Sequence, residues 1–184
     1  MNTFAMLFPG QGCQKIGMLK SFKEFSIIKN IFNESSEILK YNLWKIIENG
    51  PYEILNKTEI TQPAILTASF AIWKIWKKLS GQNPQFMAGH SLGEYSALVC
   101  ANSLSFSDAV KIVSLRGKFM QESVNNRECA TSAIIGLSKV GPGSILSKLM
   151  KDFLKDSDLQ GISLNHPNVI IQQTKKYKKL IYAI

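Results

Sequence analysis

Arginine is nearly missing from this chain. Of 22 basic residues in 184, only Arg116 and Arg127 are arginine, so a net charge of +9 is carried almost wholly by lysine. Nucleic-acid binders concentrate basic residues in a stripe with aromatics beside it. Here they are dispersed from Lys15 to Lys179, with one dense cluster, Lys175 to Lys179, broken by Tyr177. The pattern argues against a nucleic-acid partner and fits attraction to acidic partners in general, phosphorylated cofactors and acidic proteins included. Cysteine is scarce as well. Cys13, Cys100 and Cys129 are an odd number at wide spacing with no C-x-x-C pair, which argues against a disulfide frame or a metal site and for a reducing, cytoplasmic setting. No apolar stretch approaches the roughly 18 residues of a membrane span, and the run Phe4 to Phe8 has no basic segment before it, so neither an anchor nor a signal peptide is expected.

What is present belongs to a folded protein. Apolar residues make up 45%, charged residues 19% and aromatics 10%, within the range of globular chains. At about 150 residues per domain the length suits one domain, or one with a partial second. Thr3 to Phe8 reads as a buried strand running into the glycine loop Pro9-Gly10-Gln11-Gly12. Helical spacing follows from Ser21 to Leu39 and from Leu43 to Ile47, ended by Gly50-Pro51. Thr61-Gln62-Pro63 opens the clearest helix, with Thr61 as cap and Pro63 in the first turn, running to Leu79 before Gly81. Gln85 to Ala88 is a strand candidate, and Glu94 to Ala101 a helix. Ser107 and Asp108 start another helix, whose Val110, Ile112, Val113, Phe119, Met120 and Val124 are expected to face inward.

After Val124 the character changes: Ala133 to Leu137 reads as a strand, Gly143 to Leu154 as a helix and Val169 to Ile171 as a strand. Alternating strands and helices predict an α/β core with a parallel sheet over residues 1–125 and a small α+β subdomain over 126–173. The lysine-rich segment 174–184 reads as a solvated or frayed tail.

Gly89-His90-Ser91-Leu92-Gly93 matches the nucleophile-elbow pattern G-x-S-x-G, flanked by the strand and helix that pattern requires. Small residues two positions either side of the serine permit a turn tight enough to project the Ser91 hydroxyl. The Leu92 amide lies at a helix start, where it is able to donate to a developing oxyanion. A serine nucleophile needs a base, and the chain has two histidines, His90 and His166. His90 adjoins Ser91 and is better suited to packing. His166, in Asn165-His166-Pro167, reads as a surface turn that reaches the site only if the later subdomain folds over the sheet.

Helical spacing puts Arg116 on the apolar stripe of its helix, three and four residues from Val113, Ile112, Phe119 and Met120. A buried guanidinium needs an anion. Two readings stay open: pairing with Glu94 or Asp108, or snorkelling past the apolar face, against a bidentate clamp on a substrate carboxylate.

Pro9-Gly10-Gln11-Gly12, Thr61-Gln62-Pro63-Ala64, Gly89-His90-Ser91-Leu92-Gly93-Glu94-Tyr95 and Arg116-Gly117, in this order and spacing, resemble the malonyl-CoA:acyl carrier protein transacylase family of fatty acid synthesis, in its bacterial stand-alone form. The likeness continues more weakly through Ser132 to Leu137 toward Ile171 and then fades. It implies an α/β-hydrolase-like core with an incomplete ferredoxin-like small subdomain. It implies that Ser91 takes malonyl from coenzyme A as an ester and passes it to the phosphopantetheine thiol of acyl carrier protein. Arg116 then binds the malonyl carboxylate, the backbone amides of Gln11 and Leu92 form the oxyanion hole, and Gln62 supports the pocket. No cofactor is implied beyond the coenzyme A thioester and phosphopantetheine substrates.

The family's general base is a histidine in a Ser-His dipeptide farther along than any residue here, and neither His90 nor His166 matches it. Cys13 stands where the family has serine and Cys129 where it has glycine, and Asn165-His166-Pro167-Asn168 lacks the expected glycine. The chain is therefore expected to be shortened at its C-terminus, impaired in turnover and open at a sheet edge. The alternatives are a catalytically silent fragment that binds carrier protein or coenzyme A, and a serine hydrolase using His166.

Overall fold

A computed structural model describes residues 4–124, 161–163 and 180–182. Strand β1 (Ala5–Phe8) alternates, with Met6 and Phe8 fully buried. Its parallel neighbour β2 (Phe86–Gly89) is in register so that Phe8 lies opposite Gly89. This pairing brings the two loops that follow, one after Phe8 and one after Gly89, out of the sheet side by side at the strands' carboxyl ends, where open α/β sheets bind ligands. Two further strands, β3 (Gly161–Ser163) and β4 (Leu180–Tyr182), give the order β2-β1-β4-β3 among the described residues, every pair parallel. The parallel α/β core expected from the sequence is therefore present.

Leu180–Tyr182 lies in the segment expected to be a tail, and the structure corrects that reading. The lysines end at Lys179, and the apolar run after them supplies a strand that pairs with β1. Gly161–Ser163, assigned from the sequence to the small subdomain, joins the same sheet. The expected elements Ala133–Leu137, Gly143–Leu154 and Val169–Ile171, and the residues Cys129 and His166, lie outside the described residues.

A 3-10 turn (Lys20–Phe22) and helices α1 (Ser26–Leu39), α2 (Leu43–Asn49), α3 (Tyr52–Leu55) and α4 (Thr58–Lys78) connect β1 to β2. Helix α4 is buried without interruption from Thr61 to Trp73, as expected of a helix whose apolar surface runs all round and is packed on every side, here by α1, α5 (Leu92–Cys100) and α6 (Phe106–Val124). It starts one turn earlier than the sequence suggests. Thr61 is interior rather than a cap, because its amide donates to the Lys57 carbonyl across 2.8 Å and its hydroxyl to the Leu55 carbonyl. Lys57 is the residue that takes the cap position.

The inward stripe of α6 also differs from expectation. It is Phe106, Ala109, Val110, Val113 and Gly117, all buried, at the three-and-four spacing of one helix face. Ile112, Phe119 and Met120 are 40%, 63% and 43% exposed. Ile112 is two residues, and so more than half a turn, from Val110, which carries it to the outer side. Ser105 rather than Ser107 caps this helix: its Oγ accepts from the Asp108 amide at 3.1 Å and donates to the Asp108 carboxylate at 2.6 Å. Gly117 matters for placement, since a Cβ there would lie 2.6 Å from the Thr58 carbonyl oxygen. Only glycine lets α6 close on the first turn of α4, and the residue before it is Arg116.

Candidate active site

The turn between β2 and α5 is built by steric exclusion. A Cβ on Gly89 would overlap the Gly93 carbonyl, and one on Gly93 would overlap the Phe8 carbonyl. Both ends of the pentapeptide are thus packed backbone on backbone, with Gly93 wedged against the end of β1. The His90 amide donates to the Phe8 carbonyl at 3.2 Å and the Gly93 amide to the His90 carbonyl at 2.9 Å. Held at both ends, Ser91 adopts φ 55° and ψ −110°, a conformation that L residues reach only under strain. Its side chain is exposed and immediately precedes α5. Leu92 is the first residue of that helix and buried, so its amide is one of the N-terminal donors with no acceptor inside the helix.

The glycine loop after β1 lies against this turn. A Cβ on Gly10 would sit 2.7 Å from the His90 carbonyl oxygen and 3.0 Å from its Nδ1, so the His90 ring packs on Gly10 although the residue as a whole is exposed. Gln11 follows in an exposed turn, its Nε2 donating to the Thr58 hydroxyl at 3.4 Å. Gln14 accepts from the Gly12 amide at 2.8 Å and donates to the Asn56 side chain at 2.7 Å, tying the loop to the start of α4.

Arg116 reaches across from α6. Its Nη2 donates to Ser91 Oγ at 3.1 Å and its Nη1 to Gln62 Oε1 at 2.8 Å, and its guanidinium lies 5.9 Å from the centre of the Tyr95 ring, within cation–π range. Gln62 is fully buried on α4, and its Nε2 donates to Met120 Sδ at 3.2 Å. Ser91 and Gln62, far apart in sequence, are thus both bonded to the one guanidinium of Arg116.

The ion-pair alternative for Arg116 does not hold among the described residues. No carboxylate there lies within ion-pair distance of it, and Asp108 is engaged by Ser105 and Lys111. A half-buried guanidinium that meets only a hydroxyl, an amide oxygen and a ring keeps donors for an anion that enters the site. The described cysteines do not compete as nucleophiles. Burial pushes the Cys13 thiol up despite Lys15, and burial pushes Cys100 up despite Lys74. No group of three metal-ligating side chains occurs among the described residues, and none of their helices is long and apolar enough to cross a membrane.

The sequence did not single out Tyr95 as a partner of Arg116, nor Met120 as anything but core. Each carried a signal: Tyr95 stands four residues after Ser91 on the helix that follows the turn, and Met120 four after Arg116, the spacing of side chains that share a helix face.

The family model described as acyl transferase domain matches residues 5–140. A malonyl CoA-acyl carrier protein transacylase of Salmonella typhimurium is 45% identical over 172 residues, 93% of this chain and 54% of that protein. One of Buchnera aphidicola from Schizaphis graminum is 54% identical over 142 residues, 76% of this chain and 46% of that protein. The chain spans about half the length of the curated relatives it matches. The solved structure of the corresponding transacylase from Coxiella burnetii superposes with a TM-score of 0.66 at 50% identity, covering 67% of this chain and 40% of that one. A malonyl-transacylase solved in complex with a type II PKS acyl-carrier protein gives 0.65 at 53% identity, with 67% of this chain and 40% of that one covered. With the matched region taking in the glycine loop, the serine turn and the arginine helix, the chain belongs to the acyl transferase domain family.

Proposed function

We propose that this chain carries the malonyl-loading half of a malonyl-CoA:acyl carrier protein transacylase site on an α/β-hydrolase-like core, acting in the cytoplasm in fatty acid synthesis. The observation that carries the reading is the contact of Arg116 with Ser91. A cation with no carboxylate partner among the described residues stands beside an exposed hydroxyl, so a substrate bearing a carboxylate two bonds from its carbonyl is able to engage both at once. Ser91 Oγ attacks the thioester carbonyl, the C–O bond forms, the C–S bond breaks, and coenzyme A leaves as a thiol after taking the serine's proton. The thiol of the carrier's phosphopantetheine then attacks the ester and frees Ser91. The Leu92 and Gln11 amides are assigned to the oxyanion, Arg116 to the malonyl carboxylate and Gln62 to holding Arg116. No resident cofactor enters these steps.

The base that accepts the serine proton is, by the resemblance, a histidine farther along than this chain extends. Without a base the hydroxyl is a poor nucleophile: in the serine protease subtilisin, removing the histidine costs about 10⁶ in kcat. Ser91 is thus expected to acylate slowly in this chain alone.

Intact-mass measurement after mixing with malonyl-CoA tests the reading. A malonyl adduct that is lost in Ser91→Ala supports it. Saturable binding of carrier protein or coenzyme A with no adduct at any time favours a silent binding module, and release of free malonate that vanishes in His166→Ala favours a hydrolase.

A further inference from the structure

The amide of Gln62 is held in one orientation by its two neighbours. A guanidinium has donors and no acceptor, so the oxygen of the amide has to face Arg116, and Oε1 does so at 2.8 Å. The amide nitrogen then points the other way, into a fully buried position, and meets the thioether of Met120 at 3.2 Å. Reversed, the amide would set a donor against the guanidinium and an oxygen against the sulfur lone pairs. Met120 stands one turn beyond Arg116 on α6, so the residue that latches Gln62 and the residue Gln62 latches share one helix face.

We infer that Met120 is a positioning residue: by accepting from Gln62 Nε2 it fixes the amide so that Oε1 holds the Arg116 guanidinium over Ser91, and so it sets the preference for acyl groups that end in a carboxylate. The inference rests on the reading of Arg116 as the carboxylate clamp. The sulfur is a weak acceptor, but among the described residues it is the one given to this buried N–H. Loss of such an acceptor leaves the donor unsatisfied, and the amide is then free to turn and release Arg116. Met120 is 43% exposed, so its replacement does not open the core.

The test is calorimetric binding of malonyl-CoA and acetyl-CoA to the full chain, with thermal unfolding of each variant as a fold control. Met120→Leu, which keeps the bulk and removes the acceptor, is expected to weaken malonyl-CoA binding about threefold to tenfold and to leave acetyl-CoA binding unchanged. Met120→Gln, whose side-chain oxygen is able to accept, is expected to restore the malonyl preference. Met120→Leu that binds malonyl-CoA like the parent, or that loses both thioesters equally, overturns the inference. A malonyl preference that is absent from the parent or survives Arg116→Ala overturns the clamp reading itself, a result distinguishable from failure at Met120 alone.

Discussion

Arg116 and Ser91 are hydrogen bonded across 3.1 Å, guanidinium to hydroxyl, although 25 residues and a whole helix separate them. The cation therefore stands beside the nucleophile, and on the proposed reading an incoming carboxylate takes over the Nη2 donor that Ser91 now uses. Replacing Arg116 by Ala should remove about 1.5–3 kcal/mol of carboxylate binding, a tenfold to hundredfold loss for malonyl-CoA over acetyl-CoA. Arg116→Lys should recover only part of it, since an ammonium lacks the planar fork that meets Gln62 and an anion together. Equilibrium titration of both thioesters against each variant checks this.

The serine itself is strained. At φ 55° and ψ −110° glycine is at ease and serine is not. Ser91→Gly is expected to raise the unfolding free energy by about 1 kcal/mol while abolishing any ester, and Ser91→Ala, which keeps its Cβ, to leave stability nearly unchanged. Urea denaturation of the three proteins reads the difference.

These particulars show which parts of the site were legible in the sequence. The glycines of the turn were, because a backbone-on-backbone approach leaves no other residue possible and the spacing is rigid. Arg116 was singled out as a charge among apolar residues, although of the four that defined its stripe only Val113 is buried. The orientation of the other α6 residues was not: Ile112, Phe119 and Met120 are apolar, and hydrophobicity alone does not say which side of a helix finds a neighbour. That was decided by Gly117, whose missing side chain sets where α4 and α6 touch. The strand Leu180–Tyr182 was hidden for a related reason. Three residues beside a run of lysines carry little periodic signal, and only the vacancy beside β1 gives them a place.

Ser105 and Asp108 fasten the start of the helix that delivers Arg116. Ser105→Ala should cost about 1 kcal/mol in stability. The hydrogen bond from Ser105, and then Lys111, hold the Asp108 carboxyl below its ordinary range. Its contribution is thus present above the unfolded Asp value near about 3.9 and is lost as the pH falls through the lower folded value. The stability gap between the parent and Asp108→Asn, followed by urea titration, should be open at pH 7 and narrow as the pH falls below the unfolded Asp value.

Within the helical layer two buried hydroxyls behave oppositely. Ser35 and Thr67 share a hydrogen bond of 2.9 Å, whereas the Ser69 hydroxyl, two residues beyond Thr67, is buried with no partner among the described residues. Thr67→Val should strand the Ser35 hydroxyl and cost about 1–3 kcal/mol, and Ser69→Ala should be neutral or stabilising. Thermal unfolding midpoints order the two variants on either side of the parent.

Strand β2 has β1 as its one partner among the described residues, and its first residue, Phe86, is 68% exposed. Amides and carbonyls along such a margin will accept any extended polypeptide that arrives, its own kind included. Where that margin stays uncovered, self-association should rise with protein concentration and start at the row of the sheet whose far end presents Ser91.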